Sequence, residues 1–170
     1  MFLDGLRYFL VGLLLIGLQF FLIQEVNVAT WIKPMPYIFL IFILPFELNK
    51  YAVLFISFAL GFVLDSIGDT YGLHAASCVS LAFIKHHADR TFLNIEAVQL
   101  QGNSFLTPSF KGFSLFASYT LVLVFIHHLI FFSLDYFKFT AFFTILAISF
   151  LSTLVTFLFM LLYLSVMRKN

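Results

Sequence analysis

The stretch Gly61-Phe-Val-Leu-Asp65-Ser-Ile-Gly68-Asp69-Thr-Tyr-Gly72-Leu-His74-Ala-Ala-Ser77 decides the fold. It sits between two apolar runs, Tyr51–Gly68 and Leu73–Ile84, and reads as a helical hairpin with its turn at Asp65 to Gly72. On the first leg Ser57, Gly61, Asp65 and Gly68 follow at spacings of four, four and three, along one helix face. On the second leg Gly72, Ala76 and Ser80 recur every fourth residue. Small residues at this spacing let helix backbones approach closely, which is how helices gain packing in hydrocarbon. Asp65 is thereby placed on a packed face, where an ionised carboxylate costs at least about 2.5 kcal/mol. It is expected to have a partner: a backbone N–H at the turn, Ser66, Thr70, His74 or a basic residue. Capping the turn or tying helices together is the structural role that follows; a proton or cation site and a ligand contact are the functional ones. Asp69, nearer the turn, is expected to be solvated.

The composition around the hairpin sets the solvent. Of 170 residues, 62% are hydrophobic and 10% charged, and the mean hydropathy is +1.07. A soluble domain carries roughly 45–50% apolar and about 25% charged residues. A soluble enzyme, a nucleic-acid binder and a disordered linker are all excluded on that ground, and an integral membrane protein of one domain, residues 1–170, is predicted. The net charge of +1 gives no general attraction to nucleic acid. Cys78 is the single cysteine, which excludes an internal disulfide, and it reads as a small buried hydrophobe.

Apolar runs predict an all-α bundle of about six transmembrane helices: Leu6–Ile23, Trp31–Phe46, Tyr51–Gly68, Leu73–Ile84, Gly112–Leu134 and Ala141–Met167. The first, fifth and sixth are long enough to cross a bilayer; the middle three are short for it. Pro34, Pro36 and Pro45 make Met35–Leu44 a short or broken helix. Arg7 ahead of an apolar run resembles a signal peptide, but without a small-residue cleavage site it reads as an uncleaved first span. Arg7, Lys50, Lys85, Arg90, Lys111, Arg168 and Lys169 share one face, and only Lys33 and Lys138 fall on the other. That bias places both termini in the cytoplasm. Trp31, Tyr37, Tyr71 and Tyr136 mark the outer headgroup level, and Lys85–Lys111 forms a cytoplasmic loop, residues 85–111, suited to a surface helix or a partner contact.

Chemistry-bearing patterns are scarce. His86-His87 and His127-His128 are adjacent pairs whose rings point about 100° apart on a helix, and no HExxH accompanies them. Polar bonds between helices account for them, His128 in particular. Neither GxSxG nor a phosphate-cradling glycine loop is present. Ser149, Ser152, Thr153 and Thr156 form a stripe on the last helix, and Gly5, Gly12 and Gln19 one on the first, both of which read as helix–helix glue. No catalytic residue, metal ligand or cofactor is expected.

The motif Gly61-Phe-Val-Leu-Asp65, followed after six residues by Gly72-Leu-His74-Ala, resembles the signature of the bacterial rod shape-determining protein MreD family. Lys33-Pro-Met-Pro-Tyr-Ile-Phe-Leu-Ile-Phe-Ile-Leu-Pro-Phe-Glu47 and Phe125-Ile-His127-His128-Leu-Ile-Phe-Phe-Ser-Leu-Asp135 look similar as well, so the resemblance covers nearly the whole chain. It implies a non-enzymatic scaffold of the rod complex (elongasome) in the inner membrane. Such a scaffold binds the bitopic protein MreC and helps couple the MreB cytoskeleton to RodA and its transpeptidase partner in peptidoglycan synthesis. It also implies a fold similar to the six-helix substrate-binding subunits of energy-coupling-factor transporters, with an outer cavity near Asp65 to His74. The alternative function is a vitamin-binding subunit of such a transporter. A proton channel using Asp65 and His74 is a third. The family's shared Asp and Gly map to Asp65 and Gly72.

Overall fold

A computed structural model describes residues 2–25, 32–93, 95, 105–107 and 112–167. Among these residues every regular element is helical: α1 Phe2–Glu25, a 3-10 turn Pro36–Ile38 leading into α2 Phe39–Ile43, α3 Lys50–Gly68, α4 Leu73–Phe92, α5 Phe113–Tyr136, a second 3-10 turn Phe139–Ala141, and α6 Phe142–Met167. The prolines act as expected on the second segment, which is reduced to a 3-10 turn and a single short helix.

By length and composition α3, α5 and α6 are each able to cross a membrane. The apolar run predicts α3 to be short for this, but its 19 residues rise about 28 Å. Within α1 the described apolar stretch is Tyr8–Phe21. A larger correction concerns α4, which does not stop at Ile84. It continues to Phe92, so Lys85, His86, His87, Asp89 and Arg90 belong to a helix and not to a loop. Their polarity masked the continuing turns. Most of the rest of the 85–111 loop lies outside the described residues, as does Trp31.

Helices α3 and α4 form the predicted hairpin, and α4, α5 and α6 pack in sequence. Asn49 starts α3 by accepting the Tyr51 N–H on its side-chain oxygen at 3.0 Å. Asp69 and Phe137 close α3 and α5 in the left-handed conformation, each sending its N–H back to a carbonyl four residues earlier. Two ends of the bundle result. The hairpin end holds the 69–72 turn and Lys33, whose ammonium lies 3.6 Å from Asp135 at the close of α5. The basic end holds Lys50 and the last turns of α4.

The segment Met35–Leu44 is buried throughout and forms the centre of the hydrophobic core, against Leu15, Leu60, Leu81, Val124, Phe132 and Ile148. Tyr37 is among these residues, fully enclosed, so it is not the headgroup anchor that its sequence position suggested. The exterior is apolar: Phe9, Leu14, Phe21, Phe55, Phe62, Phe143, Phe150 and Leu162 are all exposed. Polar residues such as Ser57, Thr120, Ser149 and Ser152 are inside. This inverts the arrangement of a water-soluble bundle, and it suits a hydrocarbon surround.

Candidate functional site

Asp65 occupies the junction of α3 and α4. Its Oδ1 accepts the Thr70 hydroxyl at 2.6 Å and the His74 N–H at 3.0 Å, and its Oδ2 accepts the Ala75 N–H at 2.9 Å. A helix begins with N–H groups that lack partners, and the residue at the start of α4 is Gly72, which has no side chain to supply one. Asp65 therefore caps α4 from the end of α3, with its charge set against the positive end of the helix dipole. The predicted partner is thus the hydroxyl of Thr70 and main-chain N–H groups, not the His74 ring or a basic residue. Ser66 turns away to the Phe62 carbonyl. Asp69 is exposed, as expected.

The turn is tight because Asp69, Tyr71 and Gly72 all have positive φ, 51°, 50° and 92°. For Gly72 this conformation is free, and for tyrosine it is strained. Gly61 sits one helical turn before Asp65, with α4 pressed against it. A Cβ there would come 2.5 Å from the Ala75 nitrogen and 2.6 Å from the His74 carbonyl carbon, so the close approach exists only because residue 61 is glycine.

The small-residue face is right for α3 and wrong in phase for α4. Ser57, Gly61 and Asp65 are buried, but Gly68 is exposed and meets only Thr70. On α4 Ala76 is exposed, Gly72 and Ser80 are half-buried, and the packed face is His74, Ala75, Cys78, Leu81, Ala82 and Lys85. Gly72 precedes the helix in a left-handed conformation, so counting in fours from it gives the wrong phase. Cys78 is fully buried, as read.

The stripes on α1 and α6 receive a non-helical segment. Lys33 to Met35 lie outside any helix, and Pro34 and Pro36, on either side of Met35, have no N–H. The two N–H groups left over find α6: Lys33 donates to Ser152 Oγ at 3.0 Å and Met35 to Thr156 Oγ1 at 2.9 Å. Residues four apart on a helix match two residues of extended chain, about 6–7 Å in each case. The Pro34 carbonyl accepts from Gln19 Nε2 of α1 at 3.3 Å, and Gly12 faces Leu40. Ser152, Thr156, Gln19 and Gly12 thus join elements as expected, largely by holding buried backbone, whereas Thr153 bonds within α6 to the Ser149 carbonyl and Ser149 Oγ has no partner among the described residues.

Histidines close the network. His128 Nδ1 lies 2.9 Å from the Val124 carbonyl, and its Nε2 lies 3.3 Å from the Thr156 hydroxyl. It is the inter-helix bond that the sequence suggested. His74 Nδ1 lies 2.6 Å from Tyr37 Oη, which in turn lies 3.4 Å from the Met35 sulfur. Donation from Nδ1–H to the phenol and from the phenol to the sulfur uses each donor once. His127 departs from the expectation: it is fully buried, its ring is edge-on to Tyr37 and His128, and neither ring nitrogen has a hydrogen-bond partner among the described residues.

A second polar centre escaped the sequence reading. Lys85 and Asp89 of α4 are both buried and paired at 2.7 Å, Tyr119 of α5 donates its hydroxyl to Asp89, and the Lys85 ammonium lies over the Phe46 ring. The four-residue spacing of Lys85 and Asp89 is the helical ion-pair signal, and it was legible had α4 been extended.

Among the described residues no three His, Cys, Asp or Glu side chains converge so as to hold a metal ion. Most of the buried polar groups are bonded to one another or to backbone, while His127, Thr120 Oγ1 and Ser149 Oγ have no hydrogen-bond partner among the described residues. No family model, no curated protein and no solved structure matches this chain.

Proposed function

We propose that the chain is a non-enzymatic membrane scaffold of the bacterial rod complex. In this reading it is a six-span bundle of the inner membrane with both termini cytoplasmic, and it binds MreC. Through MreC it contacts RodA and its transpeptidase partner, and it helps couple the MreB cytoskeleton to peptidoglycan synthesis. The observation that carries the reading is the use made of the motif residues. Asp65 accepts three donors from the neighbouring turn and helix, Gly61 admits the α4 backbone, and His74 reaches Tyr37. Each joins one element to another, as a scaffold requires, and Asp65 and His74 are buried rather than lining an open outer vestibule. The topology is supported by Lys50, Lys85 and Arg90 gathering at one end and Lys33 lying at the other. Exposed apolar side chains on α1, α3 and α6 offer surface for other transmembrane helices.

The test is copurification of the tagged full chain from bacterial membranes. MreC and, with it, RodA are expected in the eluate, and Gly61→Leu is expected to reduce their recovery. Recovery of an ATPase module without MreC would overturn the scaffold reading in favour of a transporter subunit.

A further inference from the structure

The basic end of the bundle contains a cavity of about 650 Å³, bounded by the Pro45–Asn49 turn, the start of α3 and the last turns of α4. Its apolar lining includes the partly exposed Phe46, Leu48 and Val53, with the buried Ile41, Leu44 and Ala82 behind them. Its walls carry Lys50, Lys85, His86, His87 and Arg90 against two acids, Glu47 and Asp89. Asp89 is already neutralised, since one oxygen receives Lys85 at 2.7 Å and the other the Tyr119 hydroxyl. Desolvation first, and then the nearby Arg90, His87 and Lys50 against an opposing Asp89, lower the His86 pKa, so this ring stands in the wall as a neutral imidazole. The Lys50 ammonium is held in place over the Tyr51 and Phe83 rings. The Lys85–Asp89 pair is neutral as a unit, which leaves Lys50 and Arg90 beside one carboxylate, Glu47, and this excess of positive charge in a concavity attracts an anion. Basic pockets between helices at a membrane face are suited to phosphate-bearing headgroups, and an apolar lining accepts the carbon chain behind such a group.

We propose that this cavity binds the phosphate of an anionic phospholipid headgroup, with Lys50 and Arg90 as the charge-bearing contacts and the partly exposed Phe46, Leu48 and Val53 receiving the acyl side. A soluble phosphate ester shares the charged half of this chemistry but not the apolar half.

The experiment is native mass spectrometry of the detergent-purified full chain with added dioleoylphosphatidylglycerol or dioleoylphosphatidylcholine. One phosphatidylglycerol is expected to be retained at collision energies that strip phosphatidylcholine. Lys50→Ala and Arg90→Ala are each expected to lower that retention about fivefold, while Lys138→Ala at the hairpin end leaves it unchanged. Both residues are at least partly exposed, and an unchanged melting temperature confirms that the variants fold. Val53→Ser, which leaves the charges intact, is expected to weaken the lipid and not the binding of inorganic phosphate. Displacement of the lipid by millimolar inorganic phosphate would transfer the site to a soluble phosphate ligand and overturn the lipid assignment. Equal retention of the two lipids, or full retention by the Lys50→Ala/Arg90→Ala double variant, would overturn the site altogether.

Discussion

Asp65 is a charge whose neighbours are all donors. Replacing it by Ala leaves the His74 and Ala75 N–H groups buried without acceptors, and an unsatisfied buried donor costs about 1–3 kcal/mol. Asp65→Ala is expected to lower stability by about 2–4 kcal/mol in a denaturant titration in detergent. Asp65→Asn, which keeps one acceptor oxygen, should fall between the variant and the parent chain. Gly61→Ala tests the other half of the junction. The added methyl meets backbone, not a side chain that can swing aside, so the hairpin must open, and a drop in melting temperature is expected. A normal melting temperature for Gly61→Ala would show that α4 is free to retreat. The sequence marked both residues because a carboxylate and a glycine on one face of an apolar helix have few uses. It left Asp65's partners open, since a main-chain donor has no letter of its own.

At the scale of elements, the helices were legible and their ends were not. Apolar runs marked α3, α5 and α6, and prolines marked the break at 34–36. The last two turns of α4 are hidden in sequence because they carry Lys85, Asp89 and Arg90, whose polarity reads as a loop; the burial of Lys85 and Asp89 comes from α5 and Phe46, which are distant in sequence. The buried pair gives a clear expectation. Lys85→Met or Asp89→Leu alone strands one charge in the interior and should cost about 3–5 kcal/mol, whereas the double variant should recover most of that loss. A thermodynamic double-mutant cycle measures the coupling. The hydroxyl stripe on α6 was visible as a pattern but not as a receiver of backbone. Thr156→Val is expected to destabilise the chain more than Ser152→Ala, because Thr156 serves both the Met35 N–H and the His128 ring while Ser152 serves Lys33 alone.

For the whole molecule, the distribution of phenylalanine follows from the inverted packing. Some rings, such as Phe132, fill the core, and many others, such as Phe55 and Phe150, face outward. On the membrane reading the outward ones need only be apolar. Phe55→Leu and Phe150→Leu are expected to stay within about 0.5 kcal/mol of the parent chain, while Phe132→Ala should cost about 3–5 kcal/mol. Thermal melts in bilayer nanodiscs compare them. The same inversion explains why the total hydrophobic content announced the solvent but said little about the site, which is built from the few polar residues enclosed by it.

The non-helical segment from Lys33 to Met35 also sets a schedule. Its two N–H donors are met by Ser152 and Thr156, which lie 119 and 121 residues further along the chain. During synthesis from the N-terminus, this segment has emerged long before its acceptors exist. Until the last helix arrives, these two N–H groups lack the partners that the folded chain gives them.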